Sequence, residues 1–298
     1  MDPGWSGLPW AYEVQSRDQM FRAISRLGTL ESGRRYVWRG VPSRHFSVRS
    51  SLLRDLVGSD DPVPPETEVR ARELEILAVA RRWGISIEAG LLATDLHLLA
   101  VLQHHGLPTR LLDVTSNPTT ALWFASQRAP GSRDAAGILL AFDVTSLPEI
   151  PTIDVGLVTW GGLGNPTGAA LTHALEDSAR DQQPFLVRPS LPDARMAAQE
   201  GLFIAGVTPA TASIPGVESF PFSGAPAPAP GALHALFAAD DRGPGRPRRL
   251  PFLALLVPPR LKQRIRASLR DTYNRRRRVL FPDVAGLADA FRLNQLDS

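Results

Sequence analysis

The sequence predicts a mixed α/β or α+β fold, a single domain with a small central sheet flanked by helices. Three observations predict it. Apolar, β-prone runs at Tyr36-Val37-Trp38, Gly137 to Val144 and Phe252 to Val257 are too short for helices. Between them lie runs with helical spacing and recognisable caps. The composition of the 298 residues, 43% hydrophobic and 21% charged, is that of a chain able to bury a large core.

Residues 1–35 read as a helical entry segment. Ser16 and Gln19 form a capping-box pattern, Met20, Ile24 and Leu27 share one face, and Gly28 is a stop. Tyr36-Val37-Trp38 is a strand, and Arg39-Gly40-Val41-Pro42 is expected to break it, leaving Arg39 at the strand end. From Glu66 to Trp83, Val69, Ile76, Ala80 and Trp83 recur at helical spacing. Thr94 or Asp95 caps a helix carrying Leu98, Leu99 and Leu102, which ends at Gly106 with His104 and His105 on its last turn. Ser116 or Asn117 caps another, with Pro118 in its first turn and Ala121, Leu122, Phe124 and Ala125 buried.

Gly137 to Val144 is a buried strand, and from 161 to about 192 Gly and Pro interrupt every periodic run, which predicts loops. The proline-, alanine- and glycine-rich stretch 207–250 predicts an insertion or mobile loop within a domain spanning 36–298. After the strand at Phe252 to Val257, Leu261, Ile265, Leu269 and Tyr273 mark a helix. Asp283 starts a last one with Leu287 and Phe291 expected to face inward.

Several function classes are excluded by inventory. With no cysteine there are no disulfides, thiolate nucleophiles or cysteine-zinc sites. No apolar run reaches the roughly 20 residues of a membrane span, and the start MDPGWSGLPWAYE lacks the basic and apolar regions of a signal peptide, so a cytoplasmic location is expected. The formal charge of +3, carried almost entirely by arginine, permits nucleic-acid partners without selecting them. There is no Gly-x-Ser-x-Gly elbow and no Walker loop, and GGLGNPTG at 161–168 reads as a loop. His104, His105 and Asp113 make a poor metal set, because neighbouring helical residues diverge by about 100°. No metal is expected.

The stretch from Leu98 to Ser126 carries the most information. Gln103, His104, Thr109, Arg110, Asp113 and Thr115 lie among apolar residues that a core would claim, so each polar group needs a specific partner or a place on a cleft. An internal Arg110–Asp113 pair is the plain structural alternative.

YVWRG at 36–40, QHHGLPTRLLDVTSNPTTALWFAS at 103–126, MAAQEGLFIA at 196–205 and LFPDVAGLADAFR at 280–292 resemble the successive blocks of the FRG domain family. More distantly, the aromatic-Arg-Gly step, the Thr-Ser step before a helix and a later Gln/Glu position resemble the three motifs of ADP-ribosyltransferases. That second resemblance implies an ADP-ribosyltransferase-like fold with NAD or a related nucleotide as ligand. It makes Arg39 a holder of phosphate or ribose and Thr115 and Ser116 supports of the cofactor; Gly40, Gln103, His104, Thr109, Arg110 and Trp123 complete the cleft expected around the nucleotide. Trp38, Trp123 and Phe203 are the aromatics available for stacking.

The same resemblance makes Arg39, Gln199, Glu200 and Asp113 the catalytic candidates. Gln199 and Glu200 are adjacent rather than spaced as in the transferase motif, and on a strand only one of them enters the cleft. If Gln199 enters, Asp113 supplies the carboxylate or the domain binds without reacting. The implied role is a bacterial toxin or phage-defence transferase acting on a protein or nucleic-acid acceptor, with a cognate inhibitor or antitoxin as partner. The alternative is a non-catalytic recognition module using the same cleft and the run Arg275 to Arg278.

Overall fold

A computed structural model describes residues 5–58, 61–85, 87–88, 91–129, 135–152, 168–223, 226–237 and 247–292. The chain opens with β1 (Ala11–Glu13) and α1 (Arg17–Gly28). The Ser16 side chain accepts from the Gln19 amide, and Gln19 Oε1 accepts from the Gln15 amide at 2.6 Å, so the predicted cap forms with a shifted reciprocal bond. The entry segment is not a helical appendix, since β1 joins the main sheet and Trp5 is fully buried.

In β2 (Tyr36–Val41) the strand runs through Arg39 and Gly40 instead of stopping before them. Register with the later strand β6 continues as Arg39↔Leu140, Gly40↔Leu139 and Val41↔Ile138, which satisfies the backbone that a break would leave open. There follow α2 (Ser51–Leu56) and α3 (Glu66–Arg82), then a separate hairpin of β3 (Ile87–Glu88) and β4 (Leu91–Leu92). Trp83 is the C-cap residue of α3 and is largely exposed, beyond the last buried turn that its spacing had suggested it would join.

In α4 (Asp95–His104) Thr94 is the cap, and Gly106 stops the chain with φ +79. Next are β5 (Leu112–Thr115) and α5 (Pro118–Ala125), whose cap is Asn117. The helix α5 rests against β2 and β6 (Gly137–Asp143) more closely than side chains permit. A Cβ on Gly40 would lie 1.8 Å from the Ala121 carbonyl oxygen, and one on Gly137 1.9 Å from that of Ala125.

After β7 (Glu149–Pro151), the region expected to be loop holds α6 (Ala169–Asp181) and β8 (Phe185–Arg188), and α7 (Ala194–Ala198) and β9 (Gly201–Ala205) follow it. Residues 161–167 of GGLGNPTG lie outside the described residues. The proline-rich stretch is also more than an insertion. Ile214, Val217, Phe220 and Phe222 are core residues on irregular backbone, tied in by the Val48↔Val217 bridge, and α8 (Ala232–Phe237) packs against α1. Periodicity missed them because side chains from irregular backbone bury without a repeat.

The chain closes with β10 (Phe252–Val257), α9 (Pro259–Asp271), α10 (Arg277–Leu280) and α11 (Val284–Arg292). In α11 the inward residues are Gly286 and Ala290, while Leu287 and Phe291 are exposed, reversing the face expected. A Cβ on Gly286 would meet Phe281, so the close face has room only for small residues.

Eight strands form one sheet in the order β1-β10-β6-β2-β5-β9-β8-β7, antiparallel except for the two edge pairs. One face, with Val37, Leu112, Leu140 and Ile204, packs on a single apolar cluster. The opposite face is divided. Trp38, Leu139 and Leu255 pack under α5 and α9, whereas Phe185, Val187 and Phe203 pack under α3, α4 and α6. The boundary falls where β2 meets β5, paired only at Trp38↔Thr115. No described helix is long and apolar enough to cross a membrane.

Candidate functional site

A single register pair leaves β2 and β5 free to diverge on one side of Trp38, and the gap between the two helix layers opens there. A cleft of about 260 Å³ occupies this seam. Its walls include Trp38, Phe124 and Phe203, and its polar lining includes Arg39, Gln103, His104, Asp113, Thr115, Arg195 and Gln199. Strand alternation explains Asp113: Leu112 and Val114 face the undivided core, so Asp113 and Thr115 face the gap.

Arg39 spans the seam. Its Nη1 donates to the Asp113 carbonyl at 2.6 Å and lies 3.9 Å from the Asp113 carboxylate, while Nε is buried without a hydrogen-bond partner among the described residues. Burial lowers the basicity of this guanidinium, Asp113 opposes that shift and Arg54 adds to it. An arginine remains a cation regardless. Asp113 is held from the other side by Gln103, whose Nε2 donates to Oδ2 at 2.9 Å. The amide of Gln103 is oriented by Thr109, whose hydroxyl donates to Oε1 at 2.6 Å, and more weakly by Ser51. The Asp113 side chain is 59% exposed, and Oδ1 has no hydrogen-bond partner among the described residues. A fixed, half-open carboxylate therefore faces the cleft.

His104 at the end of α4 pairs through Nδ1 with Asp193 Oδ2 at 3.0 Å. Asp193 also caps α7 by accepting from the Arg195 and Met196 amides, so this wall is tied to α4. Gln199 lines the cleft while its Nε2 donates to the Leu280 carbonyl at 2.9 Å.

Other expected site residues stand elsewhere. Gln199 and Glu200 are not on a strand: Gln199 is the C-cap of α7, and Glu200 has a left-handed φ of 50. That turn swings Glu200 away to accept from Asn117 Nδ2 at 2.7 Å and Arg275 Nη2 at 2.9 Å. Ser116 bonds the Glu200 backbone, and the Thr115 hydroxyl donates to the Gln199 carbonyl at 2.7 Å, so both brace this turn.

Arg110 is withdrawn into the interior with Glu73 and Glu66, at 2.6 and 3.1 Å, and does not pair with Asp113. Thr109 is buried behind Gln103, and Trp123 belongs to the core under α5, where it packs on Phe124 and Phe281. Gly40 touches the cleft, but its missing side chain is required by α5.

The sequence reading missed Arg195. Its guanidinium carbon lies 4.4 Å from the centroid of Phe281, which Arg277 also approaches at 5.2 Å. The only signal was the basic residue just before the MAAQEGLFIA block, too common a feature to select.

Residues 34–133 match the family model described as FRG domain. Neither the curated proteins nor the solved structures contain a match to the chain.

Proposed function

We propose that this chain, whose residues 34–133 match the FRG domain, binds an NAD-like nucleotide in the β2/β5 cleft, with the Asp113 carboxylate facing the sugar in an ADP-ribosyl transfer to a protein or nucleic acid. The observation that carries this reading is the meeting, in one cleft with aromatic walls, of Arg39, Asp113 held by Gln103, and Gln199. A volume of about 260 Å³ is just below the usual range for small-molecule sites, roughly 300–1,000 Å³, and suits one nucleoside half with the rest at the mouth. In such a transfer the bond between the ribose anomeric carbon and nicotinamide breaks, the electron pair leaves with nicotinamide, and the acceptor nucleophile adds to the same carbon. Positive charge grows on the sugar as the bond lengthens, and the free Oδ1 of Asp113 is the group able to face it. Glu200, bonded to Asn117 and Arg275, has no part in the chemistry.

The fixed position of Asp113, the single carboxylate lining the cleft among the described residues, also favours a second reading, binding without turnover. In that case Asp113 accepts a ribose hydroxyl and nothing more. The nucleic-acid version of this module loses support, because Arg275 is engaged with Glu200 and Thr119 and Arg277 lies over the Phe281 ring.

Incubation of the purified protein with labelled NAD, with and without cell extract or nucleic acid, separates these readings. Nicotinamide release or label transfer, lost about a hundredfold in Asp113→Asn and kept in Glu200→Gln, supports transfer. Saturable binding without release supports the module, and the absence of binding, release and transfer rejects both.

A further inference from the structure

We infer that Arg195, rather than Arg39, is the residue that takes the phosphate of the ligand. The ligand class rests on the nucleotide reading above, but the argument for the residue is independent of it. Two guanidiniums line the cleft, and their surroundings differ. Arg39 is already engaged: Nη1 is bonded to the Asp113 carbonyl and stands 3.9 Å from the Asp113 carboxylate. A phosphate approaching it meets that carboxylate as well, and two like charges at such range repel. Arg39 thus holds Asp113 and closes the seam, a positioning role.

Arg195 has the opposite setting. Among the described residues its guanidinium has no hydrogen-bond acceptor and no carboxylate partner, although it lines the same cleft. The nearest acid in sequence, Asp193, is occupied: Oδ1 accepts from two backbone amides and Oδ2 faces His104. The guanidinium carbon sits over the Phe281 ring, which Trp123 and Phe124 hold in turn. A ring contact uses no N–H group, so the guanidinium keeps its donors for bidentate bonds to an oxyanion, and a held side chain loses less entropy on binding. Arg277 lies over the same ring, with Asp289 as a carboxylate neighbour of its own.

The Thr120 hydroxyl, fully buried on the cleft wall and without a partner among the described residues, is a further polar group in want of a ligand atom. The cleft is thereby polarised, with a carboxylate at the Arg39 end for sugar hydroxyls and an anion seat at the Phe281 end.

Inorganic pyrophosphate, titrated calorimetrically at low salt, tests the seat without the rest of the nucleotide. The wild-type chain is expected to bind it saturably. Arg195→Gln weakens binding about tenfold or more, Phe281→Leu weakens it less while keeping the charge, and Arg39→Gln leaves it within about twofold. Unchanged thermal melting of each variant controls for folding. No saturable binding by the wild type, Arg195→Gln within twofold of it, or a larger loss in Arg39→Gln overturns the assignment. Parallel titration with NAD keeps the two claims apart. Pyrophosphate bound through Arg195 with no NAD binding leaves the anion seat standing and ends the nucleotide reading; NAD binding unaffected by Arg195→Gln does the reverse.

Discussion

Arg110 and Arg39 are both guanidiniums set against β5, yet one is sealed and the other is left open. Arg110 is 2% exposed, bonded to a 1% exposed Glu73 at 2.6 Å, with Glu66 at 3.1 Å and the Gly206 carbonyl as further partners. Arg39 is 22% exposed beside a 59% exposed Asp113, at a loose 3.9 Å and with an unpaired Nε. The first arrangement sets a buried charge against two carboxylates, with only Nη2, 3.1 Å from Glu66, lacking a hydrogen bond among the described residues, which is the pattern of a structural ion pair. The second leaves the Asp113 carboxylate half exposed in an open cleft, which is what a binding site requires. A pairing of Arg110 with Asp113, the plain alternative in the sequence, would have merged the two; instead Glu73 and Glu66 of α3 take up Arg110, and Gln103 and Arg39 hold Asp113.

The comparison breaks most clearly if the sealed pair proves expendable. Arg110→Met leaves Oε1 of the buried Glu73 unpaired while Arg70 still holds Oε2 at 2.6 Å, and is expected to cost about 3 kcal/mol, the low end for a broken buried pair, in chemical denaturation. A loss below about 1 kcal/mol would show that water reaches Glu73 and that the two sites are alike.

Next in size is Gly40→Ala. Its Cβ would lie 1.8 Å from a backbone oxygen of α5, which has no flexible end to yield. A destabilisation of about 1–3 kcal/mol or more is expected, measurable as a lowered Tm. An unchanged Tm means that α5 shifts, and the cleft with it.

A smaller, pH-dependent effect comes from Lys262 on the closed side, where Nζ donates to the Pro42 and Gln127 carbonyls at 2.7 and 3.0 Å. Burial, with Arg266 nearby, pushes its amine down to about 8 from an ordinary 10.5. Between those values the unfolded chain binds more protons than the folded one, so stability rises with pH across that window, by at most about 1.4 kcal/mol per pH unit. Denaturation midpoints from pH 7.5 to 10 should climb in the wild type and less in Lys262→Met. Tyr36, raised to about 12 mainly by burial, acts in the opposite sense above pH 10.

The smallest effect on stability belongs to the open site. Asp113→Asn should change the unfolding free energy by no more than about 0.5 kcal/mol, because the carboxylate is half in water and Gln103 has other partners. A cost near that of Arg110→Met would make Asp113 a structural residue and remove the contrast.

Local signals in the sequence were sufficient for much of the frame. The caps at Ser16, Thr94 and Asn117, the stop at Gly106 and the strands at 137–143 and 252–257 each depend on neighbours within a few residues, which is the range over which a cap or an alternation acts. The FRG blocks at 36–40 and 103–126, which fall within residues 34–133, and the unusual polar density from Gln103 to Thr115 were equally legible. Tertiary structure alone decided the rest. It continued β2 through Arg39 by pairing with β6, turned Glu200 outward with one left-handed residue, and buried the proline-rich segment without periodicity. It also parted Arg110 from Asp113 and seated Arg195 on Phe281, a residue 86 positions further along the chain. Such choices belong to contacts between residues distant in sequence, and which of two similar arginines is enclosed depends on the surfaces that meet around it.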